Sequence, residues 1–270
     1  MADFKVLVFG STGSGKTSLC NAVSGQSYPT ASSARGVTFQ STMYPPFRSN
    51  GNWYSLTDTV GLNESSDGTV SSDESIAQII KLIHNSRDGY NLLVHVMRAP
   101  RITQSHVDNY KFFSEKLAGS NIPTILVVTG CENEEPMDAW ARKNSKEFQK
   151  GGMNYVGIFA TCFAEGGKLE AAYAPLRKES SKLVLKAIAA NALSSPHKIY
   201  ETRADLETLV KQLWNSFCDF AGLGEKYRVQ ASEGAYHLLV RLKVPENIAR
   251  IFTEIDIKDV ALKILKDWWK

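Results

Sequence analysis

The sequence predicts an α/β domain, a mostly parallel central sheet flanked by helices, followed by an all-helical extension. Three observations carry that prediction. Short apolar runs alternate with helix-periodic segments as far as about residue 190, the pattern of strands that pair in parallel through helical crossovers. The first apolar run, Lys5-Val6-Leu7-Val8-Phe9, passes directly into Gly10-Ser11-Thr12-Gly13-Ser14-Gly15-Lys16-Thr17 and then into a helical segment. Beyond Ser194-Ser195-Pro196 the strand-like runs stop and only helical patterns remain. The expected division is 1–192 for the sheet-bearing domain and 196–270 for the extension.

Residues 4–9 read as a buried strand and 15–24 as the first helix. The turn between them has the G-x-x-x-x-G-K-T spacing of a phosphate-binding loop. Gly10, Gly13 and Gly15 let the backbone bend tightly and turn its N–H groups inward. The following helix offers its free N–H groups and positive dipole end to the same anion. The predicted nucleotide grip is therefore Gly10, Ser11, Thr12, Gly13, Ser14, Gly15, Lys16, Thr17 and Ser18. Lys16 supplies a mobile charge to the β- and γ-phosphates, and Thr17 a hydroxyl for Mg²⁺.

A polar, breaker-rich stretch over 25–36 reads as a loop and ends at the alternating run 37–44, which suits an edge strand. A strand at 53–57 delivers Asp58-Thr59-Val60-Gly61, a D-x-x-G pattern. Coming after a strand and downstream of a phosphate loop, Asp58 is expected to reach Mg²⁺ through water. Gly61 is expected to donate its N–H to the γ-phosphate and Thr38 to close over the metal. Both contacts depend on the γ-phosphate, so 26–38 and 60–73 become candidate switch loops.

Ile76, Ile79, Ile80 and Ile83 stand at helical spacing and predict a helix over 74–87. A buried strand at 92–97, a helix at 104–117 and a second buried strand at 122–129 follow. A polar helix at 134–149, a strand at 155–160 and a long helix at 167–192 complete the domain. Its ligand site belongs at the carboxyl ends of the strands, where the motifs fall. Helices at 199–220, 231–242, 246–255 and 257–269 make up the extension. The last carries Ile257, Val260, Ile264 and Trp268 on one face, read as docking on neighbouring helices rather than as a membrane-surface anchor.

A net charge of +3, from 31 basic and 28 acidic residues without a basic block, argues against a nucleic-acid partner. Cys20, Cys131, Cys162 and Cys218 are widely spaced, which excludes a C-x-x-C zinc or redox motif and fits a reducing compartment. No signal-peptide pattern, myristoylation consensus or membrane-length apolar run is present, so a cytoplasmic location is expected. The five histidines are scattered and compose no catalytic triad or metal cluster.

Gly10–Thr17, Thr38, Asp58–Gly61 and Val127-Val128-Thr129-Gly130-Cys131-Glu132 stand in the order of the nucleotide motifs of a small GTPase domain. Within that class, residues 1–190 resemble the immunity-associated nucleotide-binding (GIMAP) branch of the septin-like P-loop GTPases. Gly36-Val37-Thr38, Asp58-Thr59-Val60-Gly61-Leu62 and Arg101-Ile102-Thr103 carry the resemblance, the last being similar to the Arg-Phe-Thr of that family's box. The resemblance implies a P-loop GTPase domain that holds GTP or GDP with Mg²⁺. It also implies homodimers or oligomers formed through that domain, and effector proteins that read the switch loops.

Three departures shape the expected chemistry. The guanine-reading motif is ordinarily Asn/Thr-Lys-x-Asp, and here it is Thr129-Gly130-Cys131-Glu132. The lysine that packs over the base is gone, while Glu132 can still accept from the guanine N1 and N2 donors, which adenine lacks. GTP is therefore expected over ATP. The final base-contacting motif is assigned to Ala160-Thr161-Cys162. Leu62 stands where Ras-like enzymes have a water-orienting glutamine, which implies slow hydrolysis by a lone subunit. Arg101, ahead of Arg35 and Arg98, is the candidate to stabilise transition-state charge across a dimer. A non-catalytic nucleotide-binding scaffold and, behind it, a P-loop ATPase remain as alternatives.

Overall fold

A computed structural model describes residues 2–29, 41–59, 79, 81–83, 85–201 and 203–220. Arg35, Thr38, Gly61 and Leu62 lie outside the described residues, as do most of both candidate switch segments and the helices predicted over 231–269.

The sheet is built around β1 (Asp3–Phe9), whose nearly continuous apolar run suits a strand covered on both faces. It pairs in parallel with β4 (Asn52–Thr59) on one side and β5 (Leu92–Arg98) on the other. β6 (Thr124–Thr129) and β7 (Gly157–Ala160) extend the parallel array beyond β5. β2 (Ser41–Met43) and β3 (Phe47–Ser49) pair antiparallel to β4, giving seven strands among the described residues in the order β2-β4-β1-β5-β6-β7 with β3 also on β4. The register sets Val8 opposite Asp58 and Arg98 opposite Thr129, so these polar side chains emerge together at the carboxyl edge.

Helices α1 (Lys16–Ser24) and α4 (Glu170–Asn191) cover one face, where Leu19, Cys20, Val184 and Ile188 pack on Val6, Val8, Leu56 and Val94. On the other face, α2 (Gln104–Tyr110) runs on into a π-helix, Lys111–Leu117. Phe112, Phe113 and Leu117 of that turn meet Leu7, Phe9 and Leu93, together with Ile79, Leu82 and Ile83 from the helix predicted over 74–87. A third cluster joins Met97, Leu126 and Val128 to Ala141 and Phe148 of α3 (Ala139–Lys150).

The first helix of the extension, α5 (Arg203–Phe220), joins the second of these clusters. Its Val210, Leu213, Trp214 and Cys218 are fully buried against the sheet face and the π-helix. Fully burying that many apolar side chains, at about 1.5–3 kcal/mol each, ties α5 to the sheet's core. None of the described helices is long and apolar enough to cross a membrane.

Several boundaries differ from the sequence reading. The predicted helix at 134–149 begins only at Ala139, because Pro136 pushes the residue before it out of the helical region. The long helix opens with a short 3₁₀ turn, Gly167–Leu169, before Glu170. Strand β3 was not predicted. It is set by the tight turn Asn50-Gly51, both at positive φ (48° and 81°), which reverses the chain into β4 in the twist that two-residue hairpins favour.

Candidate functional site

The predicted anion loop lies at the carboxyl end of β1, between that strand and α1. Gly10 has φ +144°, and a Cβ there would meet the Val96 carbonyl oxygen at 2.1 Å, so no side chain fits against β5. Gly13 and Gly15 also hold positive φ, the latter as the N-terminal cap of α1. Lys16 is buried and curls back over the loop, its Nζ donating to the carbonyl oxygens of Gly10 and Ser11 at 2.8 Å each. Thr12 Oγ1 and Ser14 Oγ are buried with no hydrogen-bond partner. Ser11 Oγ meets Ser105 Oγ of α2 at 2.6 Å, a tie that nothing in the loop motif signals.

Thr17 Oγ1 donates to Asp58 Oδ2 at 2.8 Å, bringing the D-x-x-G carboxylate onto the first turn of α1. The other oxygen, Asp58 Oδ1, is buried without a partner. Burial pushes the Asp58 carboxyl up to about 6, against the opposing pull of Lys16 and the Thr17 hydroxyl. An unpaired carboxylate oxygen beside a threonine hydroxyl is a donor set that suits a hard divalent cation.

A chamber of about 220 Å³ opens beside the loop and shares Gly15 and Ser18 with it. Its walls include Ser18, Arg98, Thr129, Gly130, Glu132 and Phe163. Thr129 is buried in that wall, its hydroxyl donating to the Ser14 carbonyl at 2.6 Å, and so it fastens the end of β6 to the loop. Glu132 is partly buried, with Oε2 lacking a partner. Burial and the neighbouring Glu132 hold the Cys162 thiol above its usual range.

The predicted final motif is displaced. Thr161 is fully buried, with its N–H and hydroxyl both on the Val128 carbonyl, and Cys162 donates its N–H to Ser180 Oγ. These residues hold the β7 end in place, and it is Phe163, Ala164 and Glu165, one to three positions later, that face the chamber. Arg101 is exposed in the segment between β5 and α2 and is not part of the chamber wall. Sequence reasoning passed over Ser105 and Phe163, because each becomes part of the site only through contacts between distant segments.

Residues 5–130, a little under half of the chain, match the sequence model of the family described as 50S ribosome-binding GTPase. No curated protein matches the chain. Among solved structures it is similar to a point variant of Aquifex aeolicus Era bound to GDP and AlF4⁻, at 14% identity over 73% of this chain and 58% of that one, with a TM-score of 0.47. Era in complex with MgGDPNP and nucleotides 1506–1542 of 16S ribosomal RNA gives 14%, 78%, 65% and 0.47 for the same quantities. Elongation factor SelB from Methanococcus maripaludis, in complex with GPPNHP, gives 16%, 71%, 35% and 0.42. The chain thus spans between about a third and two thirds of the length of these structures. The fold is that of an α/β P-loop GTPase.

Proposed function

We propose that this P-loop GTPase domain binds GTP with Mg²⁺ and hydrolyses it to GDP and phosphate, slowly in a lone subunit and faster when two such domains pair. The observation that carries the reading is the joined pair Thr17 and Asp58 beneath a buried Lys16, all at the carboxyl edge of the sheet. Thr17 and Asp58 would hold Mg²⁺, which supplies charge neutralisation to the phosphates when bound. Lys16 and the backbone N–H groups of Gly13, Gly15, Lys16 and Thr17 would grip the phosphate oxygens. Thr38 and Gly61 are assigned, from the sequence alone, to closing over the metal and the γ-phosphate.

Glu132 supports guanine over adenine, since its unpaired Oε2 can accept a hydrogen bond from a base edge that offers two adjacent donors. Arg101, exposed between β5 and α2, is the residue assigned to transition-state charge in a partner subunit. In this reading the nucleotide machinery lies within 1–192, with 196–270 as a helical extension. The chain acts in the cytoplasm as a homodimer or oligomer of the GIMAP-like, septin-like kind, its switch loops read by an effector protein. The near-balanced charge supports a protein rather than a nucleic-acid partner.

The test is phosphate release from GTP and from ATP at rising protein concentration, with the nucleotide that co-purifies identified first. GTP turnover per subunit that climbs with concentration supports the proposal, and its loss in Arg101→Ala assigns the finger. Tightly held GTP or GDP without turnover at any concentration would make the chain a nucleotide-gated scaffold. Turnover of ATP alone would overturn the guanine reading.

A further inference from the structure

The base-reading segment lacks its usual lysine, and the structure shows what packs beside the glycine that stands there. Gly130 holds φ +77°, and a Cβ built on it would lie 3.2 Å from Arg98 Cγ and 3.6 Å from Arg98 Nε. The arginine stem, rising from the last residue of β5, thus packs tightly against the position from which a side chain at 130 would start. Strand pairing fixes this approach, since Arg98 stands opposite Thr129 and the next N–H, that of Ala99, donates to the Thr129 carbonyl at 2.9 Å. Arg98 is exposed and lines the same chamber as Glu132 and Phe163, and its guanidinium makes no hydrogen bond or ion pair with a described residue. Lys16 and Asp58 are not part of that chamber's wall, so Arg98 stands at its base end rather than its phosphate end.

We propose that Arg98 is the base-stacking residue of this site, its guanidinium lying flat against the purine ring while Glu132 reads the ring's edge. This deepens the nucleotide-binding reading above and rests on it. A guanidinium is planar and weakly hydrated, and it stacks on aromatic faces more readily than an ammonium does. Stacking on a face carries no donor or acceptor code. Arg98 therefore supplies affinity for a purine nucleotide of either kind, and Glu132 supplies the choice between them. Gly130 is part of the same device, because any larger residue there would displace the arginine stem.

The experiment measures Kd for GDP, ADP and inorganic tripolyphosphate in the unaltered chain, in Arg98→Ala and in Arg98→Lys. Tripolyphosphate reports the anion loop alone. Arg98→Ala is expected to weaken the preferred nucleotide about tenfold while leaving tripolyphosphate within about twofold, with Arg98→Lys in between. An unchanged nucleotide Kd, or an equal loss for nucleotide and tripolyphosphate, overturns the stacking role. If the unaltered chain prefers ADP and Arg98→Ala still weakens ADP selectively, the guanine reading falls and the stacking role stands. If GDP is preferred and Arg98→Ala changes nothing, the reverse holds. If no nucleotide binds better than tripolyphosphate, both fall.

Discussion

The proposed phosphate end and the proposed base end of the site are built in opposite ways. At the phosphate end, Gly10 to Ser18 are contiguous, and one strand, one turn and one helix place nearly every group, with Asp58 delivered by the adjacent strand. At the base end, Arg98, Gly130, Glu132 and Phe163 come from the ends of three strands and from the segments that follow them. A contiguous grip must keep its sequence, because each glycine answers a local backbone demand, as Gly10 does against Val96. A distributed pocket can keep its shape while its residues trade places, as the proposed site does by using a cation on β5 in place of one on the β6 loop.

That contrast can be broken most sharply at Lys16. Removing a buried ammonium from the anion loop should weaken GTP and tripolyphosphate alike by roughly 10²–10³, read by titration with a fluorescent nucleotide and by competition. A loss confined to the nucleotide would show that the two ends are not separable.

Asp58 gives the next effect, through pH. Its carboxyl sits near 6 in the folded metal-free chain against an ordinary 3.8, so the folded state holds the proton more tightly than the unfolded chain. Stability from this group is complete below about pH 4 and is lost as pH rises to about 6, a change of about 3 kcal/mol at most. Thermal unfolding of Asp58→Asn across pH 4–7 should lack that fall. Mg²⁺-dependent triphosphate binding in the unaltered chain should strengthen up to about pH 6 and then level, since the cation needs the ionised form. An identical pH profile in the two proteins would remove Asp58 from this role.

Glu132→Gln should cost GDP roughly tenfold to a hundredfold and leave ADP and tripolyphosphate unchanged, measured by calorimetric titration. If ADP weakens as well, Glu132 holds the pocket together rather than reading the base. The smallest change is expected from Gly130→Ala. Its positive φ costs about 1 kcal/mol for an L side chain, and the flexible Arg98 stem can shift by the few tenths of an ångström required. A severalfold loss of nucleotide affinity, with tripolyphosphate spared, is the expected reading.

The same contrast explains what the sequence made legible. The order of apolar runs was enough for the parallel sheet, and the spacing of Gly10 to Thr17 was enough for the tight glycine turn between β1 and α1, because both follow from neighbours in the chain. The Thr17–Asp58 contact was foreseeable because D-x-x-G has a fixed place beside the loop. From sequence Arg98 stands only behind Arg101 as a candidate for transition-state charge, since its place beside Gly130 comes from register with Thr129 across a strand pair. Thr161 and Cys162 were assigned to the base because they follow a strand, yet their hydrogen-bonding groups are taken by Val128 and Ser180. The hairpin at Asn50-Gly51 has a local signal in its turn residues, and the π-helix at Lys111–Leu117 has none.

Helix α5 belongs to the extension by sequence and to the sheet by packing. Trp214, with Leu206, Val210 and Leu213, forms part of the wall that Phe112, Phe113 and Ile83 meet. A chain cut before Arg203 would therefore lay bare a continuous oily face, and it would report on an injured domain rather than on an isolated one. The shortest fragment suited to kinetic work ends no earlier than Phe220.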